Sequence, residues 1–193
     1  MPSDTIQAPG SAPATPDAVL AFWFADAMRR AWFRSTPALD AQIRARFEGL
    51  WRAATDGHVD DWADTPEGAL ALAIVLDQLP LNMFRGQPEA FAGEAQAIAV
   101  AQRAIAAGFD HQLPPERVAF LYMPLMHSEA LVHQEQAVRL FAAAGLDDNL
   151  RFARHHHDLI RRFGRFPHRN AILERQSTPD ELAYLASKQA FTG

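Results

Sequence analysis

The residues best suited to chemistry crowd together near the end of the chain. The stretch FGRFPHRN, Phe163 to Asn170, sets Arg165, His168, Arg169 and Asn170 within six positions, between Phe163, Phe166 and Pro167. Guanidinium forks match a carboxylate or phosphate, and an imidazole of ordinary pKa carries protons near neutral pH. If the two phenylalanines anchor in the core, the four polar residues stand on a rigid rim. The competing reading is a basic surface turn, with Arg161 and Arg162 complementing a helix C-terminus.

Two further segments bring titratable groups into apolar surroundings. In PEGALALAIVLDQLPLNMFRG the residues from Gly68 to Leu76 have no polar side chain on any face, the mark of a buried helix. Asp77 continues the stripe of Leu70 and Ile74, and Pro80 is expected to end the helix near Leu79. A carboxylate at the negative end of a helix dipole needs a cation. Arg85 or an arginine from the 161–169 segment is the expected partner. In RVAFLYMPLMHSEALVHQEQ, Pro124 is expected to kink a helix. His127 and His133 stand roughly 240° apart on a regular helix and cannot share a metal ion there, whereas Glu129 and His133 are one helical step of four apart and can meet. No complete metal motif is present, and no metal or cofactor is expected. The triplet His155, His156 and His157 cannot converge on one ion either. His156 shares a stripe with Ile160 and Phe163 and is the expected buried member.

The elements that must hold these groups announce themselves by one recurring signal. Thr15-Pro16-Asp17, Thr36-Pro37, Thr65-Pro66-Glu67 and Thr178-Pro179-Asp180-Glu181 each put a hydroxyl at an N-cap and a proline at the first helical position. Gly57, Gly108, Gly145 and Gly164 follow helical patterns as stops. Helices are expected near 16–31, 37–54, 66–78, 89–107, 114–143 with a break, 147–163 and 179–188. Apolar residues recur at three- and four-residue steps and no strand pattern appears. The fold class predicted is all-α, a single domain of stacked antiparallel helical hairpins over 16–193, with residues 1–15 as a disordered lead. Trp23, Trp32, Trp51 and Trp62 are read as packing.

Composition narrows the function classes. The formal net charge is −5 over 193 residues. Residues 1–150 hold 10 Arg against 19 Asp and Glu, while residues 151–175 hold seven Arg against Asp158 and Glu174. An acidic chain with one local basic segment lacks the broad basic face that nucleic-acid binding needs, and it suits a small anion or internal ion pairs. No apolar run approaches the roughly 20 residues of a membrane span, and cytoplasm is the default location. With no cysteine, disulfides and thiolate chemistry are excluded.

Three long motifs in order, LDQLPLNMFRG (76–86), FLYMPLMHSE (120–129) and FGRFPHRNAILERQSTPDE (163–181), with FWF at 22–24 and WF at 32–33, resemble the bacterial family called domain of unknown function 924. The resemblance covers nearly all of the chain after its first residues. It implies a tetratricopeptide-like helical fold and no assigned activity. It also implies that Asp77, Gln78, Asn82, Arg85, His127, Ser128, Glu129, His156, Arg165, His168, Arg169 and Asn170 belong to the family signature. Leu81 departs from it where many members carry Arg, which removes one positive charge from any site there.

Three readings follow. In the first, a pocket between hairpins binds a small anionic ligand, a carboxylate or phosphate, with hydrolysis as the expected reaction. Asp77, Gln78, Asn82, Arg85, His156, Arg165, Arg169 and Asn170 would bind, and His127, Glu129 and His168 would move protons. In the second, the helical stack is a scaffold for a peptide or partner protein. In the third, the polar residues form a saturated internal network that specifies packing.

Overall fold

The computed structural model describes residues 15–32, 34–188 and 190–191. Of the expected N-terminal lead, residues 1–15, positions 1–14 lie outside the described residues, as does Phe33, while Thr15 is described and caps α1. Ten α-helices run through the described residues in the order α1 (Pro16–Trp23), α2 (Asp26–Arg29), α3 (Pro37–Thr55), α4 (Pro66–Ala73), α5 (Leu79–Met83), α6 (Glu94–Ala106), α7 (Pro115–His127), α8 (Leu131–Ala143), α9 (Asp147–Phe163) and α10 (Pro179–Leu185). No strand occurs among them.

All four Thr-Pro signals are helix starts. Thr15, Thr36, Thr65 and Thr178 each accept a backbone N–H through the side-chain hydroxyl, and Thr178 forms a full capping box with Glu181. The hydroxyl satisfies a donor that the first helical turn leaves orphaned, and proline there gives up an N–H that had no partner. Gly164 ends α9 at φ 70°, a conformation that a Cβ would strain.

The helices stack as neighbours along the chain, α6 on α7, α7 on α8, and α8 on α9, with α4 packed under α1, α6 and α7. Leu70, Leu72, Ile74, Leu121, Leu125 and Phe141 are fully buried between them. Trp23 and Trp51 lie in this core, and Trp32 and Trp62 pack against it. A small satellite cluster of Leu159, Ile160, Phe166 and Tyr184 joins α9 to α10.

One expectation about proline is corrected. The helix does not end before Pro80. Residues Ile74–Gln78 form a π turn in which the N–H of Leu79 reaches the carbonyl of Ile74, and α5 then carries Pro80 in its first turn. A wider turn re-routes the hydrogen bonds that proline cannot make, and such turns recur at functional sites. Pro124 sits inside α7, and the expected break in the 114–143 stretch falls at residues 128–130. The π turn also sets a close approach: a Cβ on Gly93 would stand 2.6 Å from the carbonyl oxygen of Leu76. Only glycine lets the start of α6 come so near to Asp77.

Candidate functional site

Asp77 lies in the π turn, not at a helix end, and its partner is neither Arg85 nor an arginine of the 161–169 segment. The side chain of His127, the last residue of α7, places Nδ1 2.9 and 3.0 Å from the two Asp77 oxygens, while the Gln78 amide donates to Oδ2. A carboxylate only accepts, so this contact puts the imidazole proton on Nδ1 and leaves Nε2 as the basic nitrogen. Nε2 makes no hydrogen bond to a described residue. The Asp77 side chain is 6% exposed and that of His127 is 19%, so the imidazole is the accessible half of the pair.

Arg169 joins this dyad from the chain's end. It is buried, and its guanidinium lies between the rings of Phe91 and Phe166, 4.5 and 4.6 Å from their centroids. Its Nη2 donates to the carbonyl of His127 at 2.8 Å, fixing the end of α7, and its Nη1 donates to Glu94 Oε2 at 2.8 Å. Nε is buried without a partner. Burial raises the Glu94 carboxyl above its usual range despite the neighbouring guanidinium. Phe91, Glu94, Ile98, Glu129, Arg169 and Leu173 line an open cleft of about 490 Å³.

Two more imidazoles stand beside the dyad. His156 is 3% exposed, as its stripe predicted, with its ring centroid 6.2 Å from that of His127. Its Nδ1 faces the Met126 carbonyl at 3.3 Å, and its Nε2 is buried and unpartnered. Burial, reinforced by His127, pushes its pKa down to about 3. His168 is pushed down to about 4 by burial and by the charge of Arg169, and its Nδ1 is also unpartnered. Both rings are neutral at pH 7.

The remaining expected site residues go elsewhere. Glu129 does not meet His133 or His127. Its Oε2 accepts Arg175 Nη1 at 2.6 Å, and its Oε1 accepts Arg175 Nη2 and the N–H of Phe166 at 2.9 and 2.8 Å. Burial opposes ionisation of Glu129, but the Arg175 fork and the amide outweigh it and hold its pKa below the usual range. His133 instead contacts the Ser128 hydroxyl at 2.8 Å. Asn170 receives Arg175 Nε on its carbonyl oxygen and donates to Ser177. Arg165 grips both oxygens of Glu181, at 2.7 and 2.8 Å, and holds that carboxyl down to about 2. Asn82 and Arg85 donate to Asp40 of α3, each at 2.9 Å.

So the fold gathers Asp77, Gln78, His127, His156, His168 and Arg169, and commits Glu129, Arg165, Asn170, Asn82 and Arg85 to ion pairs and amide contacts of their own. Sequence reasoning missed Glu94, Arg175 and Asp40. Asp40 stands in the first turn of the expected 37–54 helix, where acids are favoured whatever their partners, and Glu94 lies inside the expected 89–107 helix with nothing local to mark it. Arg175 lies inside the quoted motif at LERQ, and an interior basic residue there was the available signal. No group of three or more potential metal ligands occurs among the described residues, and no helix among them is long and apolar enough to cross a membrane.

The family model described as a bacterial protein of unknown function (DUF924) matches residues 19–189. A solved structure of a protein of unknown function from Agrobacterium tumefaciens is 37% identical, with a TM-score of 0.83. The alignment covers 89% of this chain and 96% of that one. No curated protein matches the chain.

Proposed function

This chain belongs to the DUF924 family of bacterial proteins of unknown function, and from the geometry above we propose that it binds a small carboxylate or phosphate at Arg169 and moves a proton with His127. The supporting observation is the Asp77–His127 pair. A buried carboxylate orients the imidazole and fixes its tautomer, and the other nitrogen bonds to none of the described residues. That is the arrangement of a general base. The carboxylate that assists His127 is Asp77, and Glu129 is a clamp for Arg175. Hydrolysis, with His127 activating water, is the reaction class proposed for this base.

Glu94 acts as a stand-in for the ligand. It is the anion on Arg169 in the free chain, it lines the cleft, and burial disfavours its charge. An incoming carboxylate or phosphate would exchange with it for the guanidinium. The test is a thermal-shift screen of carboxylates and phosphate esters on wild type, Glu94→Gln, Arg169→Ala and His127→Gln. A true ligand stabilises wild type, stabilises Glu94→Gln more because the internal competitor is gone, and leaves Arg169→Ala unshifted. His127→Gln keeps binding and loses turnover of that ligand. Failure of every anion to shift wild type and Glu94→Gln sinks the reading. The second reading, a helical scaffold whose polar motifs are a structural network, draws on the complete pairing of Arg165 and Arg175.

A further inference from the structure

Beside the His127 dyad a hydrocarbon ring sits among three imidazoles, two of which keep one buried nitrogen without a partner. Phe191 lies edge-on to His156, His168 and His155, with ring centroids 4.6, 5.1 and 6.3 Å apart. Phe166 stands 5.2 Å from His156 and 5.5 Å from His168. Three imidazole rings therefore face a flat side chain that offers them no polar atom.

The buried nitrogens of this enclosure are unmet. His156 turns Nδ1 to a carbonyl, so Nδ1 carries the ring proton and Nε2 is an acceptor without a donor. His168 Nδ1 is also buried and unpartnered. Native proteins satisfy most such atoms, and those left over call for an explanation. Phe191 is moreover a lightly held occupant. It is only partly buried, it belongs to the satellite cluster and not to the main core, and its backbone is tied through its N–H to the Tyr184 hydroxyl at 2.8 Å.

We infer that Phe191 is a displaceable plug in a slot that takes a planar aromatic ring bearing a hydrogen-bond donor, a phenol or an N–H heterocycle. Such a ring keeps the edge-on contacts that Phe191 makes and gives His156 Nε2 the donor that Phe191 lacks. The slot adjoins the His127 site and does not depend on proton transfer there.

Phenol and toluene, matched in shape and differing in the hydroxyl, are the probes. Binding to the full chain is followed by titration calorimetry and by the imidazole ¹⁵N signals. Phenol is expected to bind Phe191→Ala more tightly than wild type, which must first expel its plug, and about tenfold more tightly than toluene binds Phe191→Ala, since one buried hydrogen bond is worth about that factor. The His156 signal should move with phenol alone. In the double variant Phe191→Ala, His156→Phe the preference for phenol disappears. Should Phe191→Ala fold poorly, Phe191→Leu, which keeps an apolar side chain, is expected to show the same preference at lower affinity. Equal binding of the two probes shows that the histidine does not read the ligand, and equal binding of phenol by wild type and variant shows that Phe191 blocks nothing. Either result overturns the proposal, as does no binding at all. His127→Gln placed in the Phe191→Ala chain should retain the phenol preference, which separates this outcome from the fate of the proton-transfer reading.

Discussion

The arginines and the histidines near the end of this chain stand side by side and are treated in opposite ways. Arg165 and Arg175 each close a two-pronged grip on a glutamate, Glu181 and Glu129, and each adds a main-chain carbonyl, of Gln176 and Phe166. His156 is buried and His168 half-buried, each with one buried nitrogen unmet. Buried guanidinium charge is tolerable only when paired, whereas a buried imidazole can shed its proton and stay neutral. The contrast assigns roles: paired arginines pin the segment 165–175 against the 128–130 turn and α10, and the free valences lie with the imidazoles. Arg169 stands between the two regimes, paired at both terminal nitrogens and unpartnered at Nε.

The contrast is open to direct attack. The largest effect is expected from Glu129→Ala, which strands Arg175 and the Phe166 amide. Breaking a largely buried pair from one side should lower the unfolding free energy by about 3 kcal/mol, measured by urea denaturation. A loss near zero would make the grip ornamental and weaken the division.

Acid should strike the histidines next. Their folded pKa values, about 3 and about 4, lie below the ordinary value of 6.5. The unfolded chain therefore takes up protons first, and stability falls as pH drops from 6.5 toward 4 and then 3. Between pH 6.5 and 5.5 the two together should cost about 2 kcal/mol. His156→Phe should remove about half of that slope, and the Met126 carbonyl left behind still accepts from Gln134 at 2.6 Å. An unchanged slope would mean that the ring is not held neutral by its surroundings.

The smallest effect concerns how the paired side is seated. Thr178 and Glu181 cap α10 reciprocally, and Glu181 is also the grip for Arg165. Thr178→Ala should cost about 1 kcal/mol in the same denaturation experiment and leave the acid slope untouched. An altered slope would show that the two regions are coupled.

Much of the helical frame was legible in order along the chain. Each Thr-Pro start is a local bargain between one hydroxyl and one orphan amide, and Gly164 is a local need for a left-handed residue, so sequence alone located them. The apolar run from Gly68 to Leu76 likewise foretold a buried helix, and the stripe of His156, Ile160 and Phe163 foretold a buried imidazole. The turn around Pro80 was not legible, because proline forbids one hydrogen bond without saying which wider turn will replace it.

Candidate site residues were visible by type, but their partners were not. Asp77 joins His127 across 50 positions, Arg85 joins Asp40 across 45, and Arg169 joins Glu94 across 75. Charge alone made Arg85 as good a partner for Asp77 as any. The choice fell to the packing of α3, α6, α7 and the π turn, which brings particular pairs within 3 Å and carries the others out of reach. Local hydrogen-bonding rules act within one turn of chain, and the sequence by itself determined what they govern. Which charges meet depends on distances that exist only once the helices have stacked.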